Sequence, residues 1–185
     1  MRRPEDWIRG VEIIGLCIVA AVLYGIVHDQ ITVRLCVEYF TIGHPPVFRT
    51  ESRTLLGLGW GIIATWWVGF VMGIPLAIAA RYGRYPQMDW KQLVRPLFWL
   101  LFCMALMAIS AGRIGWQLAQ NNHIQLQGRW AQEVPCEQHS AFLAAAFAHS
   151  ASYTTGFVGG AIVILQIWWK RRIQISTTNV HSAVK

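Results

Sequence analysis

Five histidines, His28, His44, His123, His139 and His149, fall in or beside the two segments predicted to lie on one side of a membrane. The sixth, His181, is in the C-terminal tail. Imidazole exchanges protons near neutral pH and ligates zinc, copper or iron. Metal is not the leading expectation, because the chain has no H-x-x-x-H, E-x-x-H or C-x-x-C. If a metal were held, the candidate ligands are His28, Glu38, His44, His139 and His149, and no cofactor is implied. The run from His28 to Pro46 is dense in reactive side chains, yet no activity attaches to its spacing.

Arg113 is the sharpest single residue, since it interrupts an apolar run. A guanidinium near mid-helix costs roughly 2.5–3.5 kcal/mol on insertion scales, so it is expected to face the bundle and pair. Gln117 and Gln120 extend a polar stripe from it. His149, Ser152, Tyr153, Gly156 and Gly160 share another helix face. At ~1.5 Å per residue, Arg113 and His149 reach similar depths of roughly 9 and 12 Å on neighbouring helices. The expected ligand-binding cluster is Arg113, His149 and Tyr153, with Glu38 lowered from the loop and His28, His44 and Gln117 around it. The alternative is a network that only locks two helices together.

Cys36 and Cys136 are the two cysteines of the histidine-bearing side, and an oxidising compartment would let them pair. Spacing alone leaves that disulfide open, along with covalent catalysis by Cys36 beside His44. Cys17 and Cys103 sit in apolar runs as small hydrophobes.

The elements that position these residues follow from composition. The chain is 55% hydrophobic and 14% charged, well below the ~25% charged residues usual in soluble domains. A membrane-crossing helix needs about 20 apolar residues. Four stretches qualify, 11–27, 55–80, 96–117 and 141–169, leaving external loops 28–54 and 118–140, an internal loop 81–95 and a disordered tail 173–185. The predicted fold is an all-α, antiparallel four-helix membrane bundle in one domain. Residues 31–39 alternate apolar and polar and precede Gly43-His44-Pro45-Pro46, which predicts a small β-hairpin-like cap on the outer mouth. An interfacial helix over 31–42 is the competing reading. The first stretch has a basic start, but Glu5, Asp6 and Glu12 and the lack of an A-x-A site favour a retained helix over a signal peptide.

The net charge of +7 is sorted by loop. The N-terminus, the 81–95 loop and the tail hold the entire excess, while the histidine-bearing side is neutral. This is the positive-inside pattern, and it predicts a multi-pass protein of an inner or plasma membrane with both termini cytoplasmic. It also removes the nucleic-acid reading of a basic chain, leaving the lipid bilayer as the partner of the cations. Tryptophans at segment ends, such as Trp116, Trp130 and Trp168, suit an interfacial belt. Glycines at a spacing of four, Gly57 with Gly61, Gly69 with Gly73 and Gly156 with Gly160, predict close helix approach, to another membrane protein or to a second copy. Three function classes remain open: an outward-facing polar pocket that binds a ligand or moves a small solute, an accessory subunit of a membrane complex, and an outward-facing membrane enzyme or metal site.

Overall fold

The computed structural model describes residues 4–183, with side chains described for 7–173. Every regular element among the described residues is helical. In chain order these are α1 (Pro4–Leu35), α2 (Glu38–Thr41), α3 (Arg53–Ile63), α4 (Trp66–Arg81), α5 (Trp90–Gln120), α6 (Gly128–Glu133), a 3₁₀ turn (Cys136–Gln138) and α7 (His139–Ala183). Four stretches are long and apolar enough to cross a membrane: Trp7–Leu35, Arg53–Arg81, Trp90–Gln120 and Cys136–Ile173. Their outer faces are apolar. Val19, Leu23, Val27 and Ile31, four apart on α1, are each more than half exposed. In water such a stripe would be a large unprotected patch. The tail expected to be disordered from 173 is helical as far as Ala183, and residues 184–185 lie outside the described residues.

The β-hairpin cap is not what forms. Residues 31–35 continue α1, and the alternation there is a helical pattern misread at short range. Ile31 and Leu35 extend the exposed stripe, Val33 is fully buried, and Thr32 is satisfied by donating to the His28 carbonyl at 3.0 Å. Eight residues beyond the expected end at 27 therefore belong to the first helix. The cap that does form is helical. α2, α6 and the 3₁₀ turn close over a small core of Cys36, Leu126, Val134, Ala141, Phe142 and Ala145. A second cluster, Val33, Phe40, Leu56 and Trp60, ties the cap to the bundle.

The helices pair antiparallel, and the glycines show how. A Cβ on Gly61 would lie 2.6 Å from the Ile26 backbone, one on Gly69 2.6 Å from Ile18 Cα, and one on Gly73 3.1 Å from Ile14 Cα. Rising numbers on α3 and α4 thus meet falling numbers on α1, backbone against backbone. On the other side, Gly112 lies over Ala144 and Ala148, Gly115 against Phe147, Gly156 against Met104 and Gly159 against Leu100, which pairs α5 with α7. Gly57 packs on Asp29 and Gln30, and Gly160 on Met72. All six glycines singled out by spacing make their close approaches inside this chain.

The second membrane-length stretch is broken. α3 stops at Ile63 and α4 resumes at Trp66, leaving Ala64 and Thr65 between them. Thr65 Oγ1 donates to the Gly61 carbonyl, and the Ala64 carbonyl accepts the Tyr153 hydroxyl at 3.2 Å. A side chain of α7 thereby occupies an acceptor that the break releases. Such interruptions are tolerated at membrane depth only where they are enclosed by protein or line a cavity.

The opposite end is closed by Arg171, which is 1% exposed. Its Nε donates to the Pro86 carbonyl at 2.7 Å, Nη2 to Tyr85 at 3.0 Å, and Nη1 to Ala79. Arg172 lies 3.4 Å above the Trp168 ring. Of this Lys170-Arg171-Arg172 run, Arg171 is a buried strut rather than a surface anchor.

Candidate functional site

Near the capped end, α1 and α7 bring three ligating side chains together. His28 and Asp29 are consecutive on α1, and His149 faces them from α7. One ligand atom from each lies within 4.8 Å of the other two. The His149 Nε2–Asp29 Oδ1 distance is 3.1 Å, and the His28 and His149 rings meet edge to face with centroids 4.5 Å apart.

Hydrogen bonding fixes the tautomer of His149. His149 Nδ1 sits 2.8 Å from the Ala145 carbonyl, which can only accept, so Nδ1 carries a hydrogen. Nε2 is thereby left to face the Asp29 carboxylate, an arrangement that requires a proton or a cation between them. His28 Nε2 is buried with no hydrogen-bond partner. A buried polar nitrogen without a partner costs about 1–3 kcal/mol, so this position favours any group that would satisfy it.

Aromatic rings enclose the trio. The Tyr39 and His149 ring centroids are 4.6 Å apart, and His44 stands 5.0 Å from Tyr39 and 4.6 Å from Trp60. His44 Nδ1 donates to the Tyr39 carbonyl at 2.7 Å, and its ring lines the cavity. Burial lowers the His44 pKa below its ordinary value, despite the opposing effect of that hydrogen bond. Burial likewise raises the Tyr39 hydroxyl. Tyr24 and Ser152 share a hydrogen bond of 2.7 Å across α1 and α7.

Beneath these groups lies a cavity of about 150 Å³, running down the bundle past the α3–α4 break. His28, Asp29, His44 and His149 line its upper end, and Leu97, Leu100, Met104 and Val163 its lower walls. The composition is polar at one pole and apolar along the shaft, as in small-molecule sites.

The expected cluster is divided by the structure. His28, His44, His149 and Tyr153 line the cavity together. Arg113 does not: it is exposed and, with Gln117 and Trp116, lines a second groove on the outer side of α1 and α5, which shares only Tyr24 and His28 with the cavity. Glu38 stays in the cap, where it accepts the Cys36 thiol at 3.4 Å. His139 donates to the Val134 carbonyl, and His123 is exposed in the loop. Among the expected metal candidates, Glu38 and His139 thus lie elsewhere, and Asp29 supplies the carboxylate. Sequence reasoning missed Asp29 because it placed the helix end there. Its signal was an acid with apolar residues continuing beyond it, at Ile31, Val33 and Leu35.

No disulfide joins Cys36 to Cys136. Cys36 is buried, Cys136 is exposed, and both are free thiols. Burial pushes the Cys36 thiol up to about 12, which removes it as a nucleophile near neutral pH. Comparison with known protein families, curated proteins and solved structures finds no match.

Proposed function

We propose that this chain is a multi-pass membrane protein holding one divalent transition-metal ion at His28, Asp29 and His149, where it serves a small apolar molecule in the cavity beneath. The observation that carries the reading is the convergence of two imidazoles and a carboxylate within 4.8 Å, one of the imidazole nitrogens being buried and partnerless. A metal would take the His28 lone pair and the His149 Nε2 lone pair and neutralise Asp29. Two histidines and one carboxylate leave further coordination positions open, the pattern of catalytic rather than closed structural sites. The ion would polarise a bound oxygen as a Lewis acid, with His44 Nε2 near enough to the cavity to exchange a proton. The sorted cations support placing the capped end outside and both termini in the cytoplasm.

The test is metal analysis of protein purified without a polyhistidine tag, followed by titration with Zn²⁺ and Co²⁺. One equivalent is expected to bind, and His28→Ala, Asp29→Ala and His149→Ala should each weaken it at least tenfold. Absence of stoichiometric metal in the wild type, with no response to added ions, overturns the assignment. A second reading is favoured by the His149–Asp29 pair itself, at 3.1 Å: a proton-exchanging couple for solute movement. It predicts pH-dependent activity abolished by Asp29→Asn in the absence of metal.

A further inference from the structure

A groove of about 650 Å³ runs along the outer surface between α1 and α5, floored by Ala108, Ala144 and Ala148 and walled by Val27, Ile31 and Ile109. It is largely apolar, with Tyr24, His28 and Thr32 on its α1 side and Arg113, Trp116 and Gln117 on its α5 side. Arg113 is exposed, and no hydrogen bond or ion pair to it occurs among the described residues. Its position is informative. α5 has 31 residues, so at ~1.5 Å each it is about 46 Å long and overhangs a ~30 Å hydrocarbon core by roughly 8 Å at each end. Arg113 stands seven residues before Gln120, about 10 Å from the helix end, and so falls at the edge of the hydrocarbon. A guanidinium there reaches outward to the level of lipid phosphates.

We propose that this groove binds one anionic phospholipid, its phosphate held by Arg113 and one acyl chain lying along the Ala108–Ala144–Ala148 floor. Three features select this occupant. The fixed charge is positive, unpartnered and able to grip a phosphate through two N–H groups. Gln117, one turn further out, and the Trp116 indole supply neutral donors for the rest of a headgroup. The small floor residues leave an open groove of about 650 Å³ between the helices. Tyr24 and His28 line both this groove and the cavity of the histidine–aspartate trio, whereas Arg113, Trp116 and Gln117 belong to the groove and not to the cavity, so the lipid proposal is tested through Arg113 independently of the trio.

The test is native mass spectrometry of the full chain in detergent micelles titrated with phosphatidylglycerol or phosphatidylcholine of matched chains. The wild type is expected to retain one phosphatidylglycerol and to prefer it at least tenfold over phosphatidylcholine. Arg113→Gln should abolish that preference, whereas Arg113→Lys keeps most of it. Arg49→Gln, an equal change of net charge at an exposed residue, should leave it unchanged. Ala105→Leu narrows the groove without touching charge and should weaken retention too. Because Arg113 has no partner among the described residues, its replacement is expected to leave thermal stability unchanged, so lost binding is not lost folding. Equal retention by wild type and Arg113→Gln overturns the proposal. So does displacement of the lipid by glycerol phosphate alone, which would assign a headgroup site, or a co-purifying membrane protein that covers the groove.

Discussion

His44 illustrates how one side chain ties stability to acidity. Its ring is packed between Tyr39 and Trp60, and burial is the main cause of its lowered pKa, with His149 acting in the same direction and Asp29 against it. An unfolded chain therefore takes up a proton at His44 more readily than the folded one. Stability that is fully present above the ordinary value near 6.5 is lost as pH falls toward the lower folded value. Thermal unfolding at pH 7.5 and 5.0 should show a smaller loss of Tm on acidification for His44→Gln than for the wild type. Parallel losses would assign the dependence to other groups. At this scale the sequence was informative about type and poor about pairing. The histidines stood out, and His149 was placed on the correct inward face. What escaped was that Asp29, rather than Glu38, stands beside His28 and His149, and that Arg113 faces away from them. Both errors concern direction around a helix axis, which depends on where each helix ends and what packs against it.

Close approach of α1 to α3 and α4 rests on missing side chains. Gly61→Ala would set a methyl group 2.6 Å from the Ile26 backbone, and Gly69→Ala one 2.6 Å from the Cys17 carbonyl oxygen. Neither neighbour is a flexible side-chain end, so the helices must separate, at a cost of about 1–3 kcal/mol for overpacking. Gly15→Ala, with nothing within 4 Å, serves as the matched control and should be neutral or slightly stabilising through helix propensity. Comparing the three variants by thermal unfolding in one detergent checks this. The four apolar stretches and the glycine spacings were legible because both follow from local composition. The break at Ala64–Thr65 was not: neither residue is a helix breaker, and it is recognisable only once Tyr153 is seen to satisfy the released carbonyl. The cap was misread for a related reason. A span of nine alternating residues fits a strand and a helix with one exposed stripe nearly as well, and only burial separates them.

The whole molecule is two helical hairpins, α1 with α3 and α4, and α5 with α7, laid side by side. Arg171 joins them at one end through carbonyls of α4 and of the following loop. Arg171→Ala would leave three acceptors without their charged donor, a loss of several kcal/mol given about 1.5–3 kcal/mol for each hydrogen bond to a charged group. Arg171→Lys should restore little, since an ammonium cannot span three carbonyls as a planar fork does. Unfolding midpoints of the two variants test this, and near-wild-type stability of Arg171→Ala would show that the strut is dispensable. At the other end the histidine–aspartate trio is split between the hairpins, and this has a bearing on biosynthesis. On the proposed membrane reading, the leading hairpin reaches the bilayer during translation carrying Asp29 and His28 before α7 has emerged. Until His149 arrives, that acid lacks the imidazole that contacts it at 3.1 Å from α7. The nascent first half is therefore a poor tenant of the membrane by itself, and delayed partitioning or temporary shielding of α1 is the expected course of insertion.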